Sequence, residues 1–203
     1  MNYCSNCGNA VDLGVPEGDD RERRICAQCG TIHYENPRVV VGCVIEDRGG
    51  LLLCRRAIEP RVGGWTVPAG FLELDESQAQ GAARETWEEA RARVEIAAPL
   101  ATFDLLHIGQ VYTLFRASLS EPGFEAGPES QEVRLFEPSE IPWDELAFPV
   151  VDFALRVYLE DREAGRPHLH LGHLRWNGEG SRFRADNYDL DDHRRVRLDE
   201  RHG

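Results

Sequence analysis

Downstream of residue 38 the apolar positions of this chain come in short runs separated by turn residues. Two of them, VVVGCVI at 39–45 and LLLC at 51–54, are β-branched or leucine-rich and are divided by EDRGG, the pattern of paired strands. The period then changes: Asp75 or Ser77 can cap a helix, with Gln78 or Gln80 three residues on as in a capping box. VEIAAPLATFDLL and QVYTLFRASL read as further strands, a Gly/Pro/Glu loop spans 121–131, and EVRLF reads as another strand. Pro149 opens a second helix, in which Val151, Leu155, Tyr158 and Leu159 recur at helical spacing, so that one face docks on a sheet. Strands with one helix among them and another at the end predict an α/β fold, with helices covering the faces of a sheet.

Either side of this core the pattern fails. Residues 1–36 hold almost no apolar content, and the NPR at 36–38 ends them with a turn. After Gly165 charge and glycine dominate, which predicts a polar, peripheral and partly disordered tail. His168, His170 and His173 alternate there, but no carboxylate or cysteine stands at ligand spacing, so a solvated edge segment is the expectation. The resulting organisation is a small module at 1–36, a main domain at 37–163 and a tail at 164–203.

The cysteines explain how the first module folds. Cys4 and Cys7 form one C-x-x-C and Cys26 and Cys29 a second, separated by 18 residues, a spacing typical of a four-cysteine zinc site. Gly8 and Gly30 follow each pair, where positive φ lets the chain turn back beneath the sulfurs. Four thiolates close the tetrahedron, so this zinc is structural. Cys43 and Cys54 lie in apolar runs and read as small buried hydrophobes.

Charge narrows the function. A net charge of −13 argues against a general nucleic-acid binder, and requires an anionic substrate to be received by bound cations and local arginines. No apolar run approaches the roughly 18 residues of a membrane span, and the first residues do not resemble a secretory signal, so a cytoplasmic enzyme is the default.

The chemistry is concentrated in GFLELDESQAQGAARETWEEARA. On a helix Glu88 and Glu89 lie about 60° and 40° to either side of Glu85, so the three carboxylates share a face. Such like-charge crowding is unfavourable unless a cation sits among them, and Mg²⁺ suits hard oxygen ligands completed by substrate phosphates. Gly70, Glu76, Arg84, Glu85, Glu88 and Glu89 stand at the intervals of the Nudix hydrolase signature, and the block resembles it. Three positions depart: Arg91 replaces the last glycine, Thr86 takes an apolar position, and Ala92 closes the motif. A β-carbon at the glycine position predicts a longer helix or a different exit.

The resemblance implies a mixed central sheet between helices, with the motif forming a loop–helix–loop. It implies that Glu85, Glu88 and Glu89 bind one or more Mg²⁺ or Mn²⁺ ions, with Arg84 orienting the carboxylates through a charge-assisted pair for which Glu76 is the candidate partner. The general base in relatives is a glutamate of the motif or of a later loop, for which Glu129 and Glu132 are the candidates. Arg38, Arg55, Arg56 and Arg61 are candidates to meet phosphates, and Trp65, Phe71, Tyr112 and Phe115 to stack on a base. With the four-cysteine module, residues 1–163 are similar to the zinc-ribbon Nudix subgroup that includes plant ADP-ribose and FAD diphosphatases. The AGF-x-E segment at 69–73 is also similar to NADH diphosphatases, but no SQPWPFP-like stretch follows it. The substrate implied is a small dinucleotide or nucleotide sugar; a homodimer is the family expectation. The rival is a zinc-ribbon protein that senses a nucleotide or binds nucleic acid without catalysis.

Overall fold

The computed structural model describes residues 1–198, which divide into two compact units meeting at Pro37 and Arg38. The first unit is a three-stranded antiparallel sheet of β1 (Asp12–Gly14), β2 (Arg23–Ile25) and β3 (Ile32–His33). Its buried apolar cluster is only Cys4, Val11 and Cys26. So small a core cannot hold a module of this size without a cross-link or metal.

The second unit is a mixed sheet. Its path runs β10 (Ser130–Phe136), β5 (Gly50–Arg56), β4 (Arg38–Asp47), β9 (Gln110–Leu119), β8 (Val94–Leu105), β11 (His168–Trp176) and β12 (Tyr188–Arg197). Short β6 (Trp65–Thr66) pairs with β5, and β7 (Ala69–Phe71) with β4. β4 runs parallel to β9, and β8 parallel to β11; the other pairs are antiparallel. The β4–β5 hairpin turns on Arg48 and Gly49, both at positive φ, which matches the twist of the strands.

Alternation along β4 divides the core. Val41, Cys43 and Ile45 face a cluster covered by α1 (Gln78–Ala90), whereas Val44 faces the larger cluster covered by α2 (Pro149–Ala164). Val151, Leu155 and Tyr158 of α2 are buried as their spacing predicts, and Cys43 and Cys54 are buried core residues. Ser77 caps α1, accepting from the Gln80 N–H at 3.3 Å while the Gln80 side chain accepts from the Ser77 N–H at 2.9 Å.

The segment after Gly165 corrects the expectation of a peripheral, partly disordered tail; of that stretch, 199–203 lie outside the described residues. β11 and β12 extend the sheet beyond β8, and His170 is fully buried. The carboxylate that its neighbours in sequence lack comes from Asp161, one helical turn before the end of α2. Asp161 accepts from the His168 N–H at 2.8 Å, faces His168 Nδ1 at 2.7 Å and His170 Nε2 at 3.1 Å, and pairs with Arg116. His170 Nδ1 meets His193 Nε2 of β12 at 3.0 Å. One buried anion thus ties α2 and β9 to the strands that a polar composition concealed.

Replacing Asp161 with alanine should strand the largely buried Arg116 without a counter-charge. The expected loss is about 3–5 kcal/mol of unfolding free energy in a urea titration; a change below about 1 kcal/mol would show that this hub is not what holds the hairpin.

Candidate active site

The acidic face of α1 is organised by one guanidinium. Arg84 donates through Nε and Nη2 to both Glu76 oxygens at 2.9 and 2.6 Å, through Nη1 to Glu85 at 2.7 Å and Glu88 at 3.1 Å, and through Nη2 to the Phe71 carbonyl at 3.0 Å. The bidentate contact, with the Glu73 N–H donating to the same carboxylate, holds Glu76 down to about pKa 2. Gly70 makes room for this arrangement: a Cβ there would lie 2.3 Å from the Glu85 carboxylate. Gly81 likewise lies against Glu76, where a Cβ would meet Oε1 at 2.7 Å.

Glu89 behaves differently. It is 5% exposed, accepts the Ala69 N–H at 3.2 Å and forms no ion pair with an arginine among the described residues, and burial pushes its carboxyl up to about 8, with Glu85 and Glu129 adding to the shift and Arg56 opposing it. Burial raises Glu85 as well, against the pull of Arg84. Glu88 is half exposed.

The fourth carboxylate arrives on the 121–131 loop, which docks on the open end of α1. The Glu125 and Gly127 N–H groups donate to the carbonyls of Ala90 and Glu89 at 2.8 and 2.9 Å, satisfying acceptors that a helix end leaves free. At Gly127 a Cβ would fall 1.7 Å from the Glu88 carbonyl, so only glycine permits this approach. Two residues on, Glu129 joins Glu85, Glu88 and Glu89 around a cavity of about 870 Å³. Arg91 contradicts the expectation of a changed exit. α1 ends at Ala90, and Arg91 itself adopts the left-handed conformation at φ 48°.

Comparison with known proteins agrees with this geometry. The family model described as "NUDIX domain" matches residues 36–158, and the one described as "Nudix N-terminal", a zinc ribbon, matches residues 2–35. This chain belongs to the Nudix family of hydrolases. The crystal structure of a Nudix hydrolase from Nitrosomonas europaea is 54% identical, covering 85% of this chain and 98% of that one with a TM-score of 0.82. A MutT-like protein of Streptomyces ambofaciens is 37% identical over 50% of this chain and 64% of its own length. An NAD-capped RNA hydrolase of Edwardsiella ictaluri is 35% identical over 46% of this chain and 34% of its own. The chain thus matches less than two thirds of the length of these curated relatives. Among the described residues no helix is long and apolar enough to cross a membrane.

Nudix enzymes generally use divalent metals, and the site can be tested for one. Its carboxylates are not a closed cage: among the described residues, the compact groups of potential ligands are the four cysteines and Asp161, His168 and His170, while Glu85 and Glu88 are turned to Arg84. That openness suits Mg²⁺, which keeps waters and shares its coordination with substrate phosphates. Glu85, Glu88 and Glu89 are the residues that would hold such an ion, which would supply the positive charge that an ionised Glu89 lacks here.

The cysteines, by contrast, are already gathered. Cys4 and Cys29 sulfurs lie 3.7 Å apart and Cys7 and Cys26 sulfurs 3.4 Å, close to the roughly 3.8 Å edge of a tetrahedron with 2.3 Å Zn–S bonds. Gly8 and Gly30 have φ of 74° and 73°, and their N–H groups donate to the Cys4 and Cys26 carbonyls, forming the expected turns. The Thr31 hydroxyl holds the Cys29 thiol down to about 6. The cluster therefore fits zinc.

Other expected site residues are placed elsewhere. Glu132 faces Arg55 at 3.9 Å on the edge strand β10, and neither lines the cavity; their neighbours Glu129 and Arg56 do. Arg38 reaches the site only through Phe71, which lines the cavity beneath its guanidinium at 5.1 Å. Of the other aromatic candidates, Tyr112 lines it, whereas Trp65 and Phe115 are core. Ile58, His107, Phe148, Arg182, Phe183 and Tyr188 also line the cavity and were missed. Apart from the aliphatic Ile58, only their aromatic or basic character hints at a role.

Two outcomes follow from these sites. The purified protein should carry about one equivalent of zinc per chain by mass spectrometry, and Cys26→Ser should abolish it. Without divalent ions, folded Glu89 should keep a proton that the unfolded chain releases, so its stabilising contribution is full below about pH 4.5 and is lost as pH rises towards about 8. Thermal melts should show stability falling across that window, with a slope reduced in Glu89→Gln. Added Mg²⁺ should stabilise the native enzyme more at pH 8 than at pH 6; an equal gain at both would exclude Glu89 as a ligand.

Proposed function

We propose that this Nudix hydrolase cleaves the diphosphate of a nucleoside diphosphate linked to another group, with ADP-ribose or FAD favoured and NADH as the alternative, giving two monophosphates. The observation carrying this is the gathering of Glu85, Glu88, Glu89 and Glu129 on one cavity, whose volume of about 870 Å³ is at the upper end of small-ligand sites. A bare diphosphate needs far less.

Glu85, Glu88 and Glu89 would hold Mg²⁺ or Mn²⁺, which when bound neutralises phosphate charge and acidifies water. The protein does the rest by positioning. Arg84, itself held by Glu76, fixes the direction of Glu85, and the tight Gly70–Glu85 contact keeps the β7 backbone against that carboxylate. Glu129 is the side chain we assign to accept the proton of the attacking water. It lines the cavity and lies close enough to raise the Glu85 and Glu89 carboxyls, and its backbone is locked to Ala57 by a 2.8 Å hydrogen bond. Arg56, at the same cavity, supplies positive charge that the overall −13 does not. The names of the curated relatives support nucleotide chemistry without choosing the substrate.

Turnover of ADP-ribose, FAD and NADH with Mg²⁺ or Mn²⁺ tests this reading. Glu88→Gln and Glu89→Gln should each lower kcat at least about 100-fold. Glu129→Gln should lower it about 100-fold, while Glu132→Gln should stay within about two-fold of the native rate. Intact turnover in both Glu88→Gln and Glu89→Gln would overturn the metal-site assignment.

A further inference from the structure

The cavity continues past the carboxylates, around the end of the sheet, to residues that the hydrolytic chemistry does not use. Leu105, Tyr112 and Val150 belong to the core on the α2 side, yet line the same space as Glu85 and Glu89. The last wall there comes from the turn between β11 and β12, which contributes Arg182 and Phe183.

Phe183 is an unusual residue for a polar turn. It is 37% exposed and stands beside Phe148 with ring centroids 6.4 Å apart, and the Arg61 guanidinium lies 5.4 Å from its centre. The turn that carries it is rigidly built. Tyr188 donates to the Arg182 carbonyl at 3.0 Å and meets His107 Nε2 at 3.0 Å, Asn187 donates to the Ser181 carbonyl at 2.8 Å, and Trp176 donates to the Glu179 carbonyl at 3.2 Å. Arg182 lies over the Trp176 ring at 4.4 Å. A half-exposed aromatic held in place on the wall of a concave site is an apolar platform whose ordering cost has already been met.

We propose that the β11–β12 turn is the subsite for the planar ring of the substrate, with Phe183 as its stacking face. This rests on the diphosphatase reading above, and deepens it by assigning the recognised group: a nucleobase or comparable flat heterocycle. Phe71 is the rival platform, but its carbonyl accepts from Arg84, which places it beside the carboxylates where the diphosphate must lie. A substrate anchored there extends its ring away from Glu85, Glu88, Glu89 and Glu129, towards the part of the cavity walled by the β11–β12 turn. That part holds Phe148, Phe183 and Arg182, and aromatic faces with a neighbouring guanidinium suit a base linked to phosphate.

The test compares ligands with and without a ring on the full-length enzyme. Binding of AMP and of ribose 5-phosphate is measured by calorimetry, and steady-state kinetics are measured with ADP-ribose and with 5-phosphoribosyl diphosphate, which has no base. Phe183→Ala should weaken AMP binding and raise the KM for ADP-ribose about ten-fold. It should leave kcat and both ring-free ligands within about two-fold, and Phe183→Tyr should restore the native values. Phe183→Leu keeps apolar volume without a π face and should show the same ring-dependent losses, and it takes the place of the alanine variant should circular dichroism show that one poorly folded. Equal effects on ringed and ring-free ligands, or none on either, would overturn the subsite. Should the native enzyme hydrolyse none of the diphosphates, the diphosphatase reading fails by itself, and the AMP comparison still decides the role of Phe183.

Discussion

Arg84 is the interaction on which the active site depends. Three carboxylates and a carbonyl share its donors, so the loop before α1, the middle and last turns of α1 and the end of β7 are held as one body. Without a cation at this position Glu76, Glu85 and Glu88 would repel one another on adjacent turns. With it, Glu85 lies flat on Gly70 and Glu89 is left as the buried carboxylate without an arginine partner. The site therefore contains one acid held well ionised, Glu76, and one held protonated in isolation, Glu89. In the proposed site that contrast would leave Glu76 to hold Arg84 in place and Glu89 to serve, once ionised, as a ligand of the divalent ion.

Much of this was legible because the chemistry is local in sequence. Gly70, Glu76, Arg84 and the three glutamates lie within one loop and helix, where spacing translates directly into geometry through the 3.6-residue period. The capping pair Ser77 and Gln80, the cysteine knuckles and the buried stripe of α2 were readable for the same reason. Long-range pairings were not. Glu129 and Glu132 are both plausible from spacing, but a register shift between Ser130 and Glu132 sets which of them faces the cavity. Arg55 and Arg56 differ only in the side of β5 to which each points, and one residue of phase exchanges a surface arginine for a cavity arginine.

The C-terminal hairpin shows a different obstacle. Its strands read HLHLGHLRW and YDLDDHRRVR, a polar alternation that composition assigns to solvent. The carboxylate that receives His168 and His170, Asp161, stands close in sequence but on the helix α2, and its partner Arg116 lies 45 residues earlier on β9, so no periodic pattern pairs them. Once His170 is paired with Asp161 on one nitrogen and His193 on the other, a polar residue becomes a core residue at little cost. The same hairpin brings Phe183 to the cavity, so an error about folding was also an omission about function.

Arg91 connects these themes. A left-handed β-carbon residue costs about 1 kcal/mol relative to glycine, which predicts a longer helix or a different exit. The helix stops at the usual point because the carbonyls of Glu89 and Ala90 are already claimed by the loop that carries Glu129. One more turn of α1 would direct those carbonyls to its own N–H groups and expel Gly127 from its contact with Glu88. Part of the strain is offset where the Arg91 N–H donates to the Trp87 carbonyl at 3.0 Å and its guanidinium rests over the Trp87 ring at 5.6 Å. What ends the helix here is thus the docking of a fourth carboxylate, and the residue at the turn adapts to it.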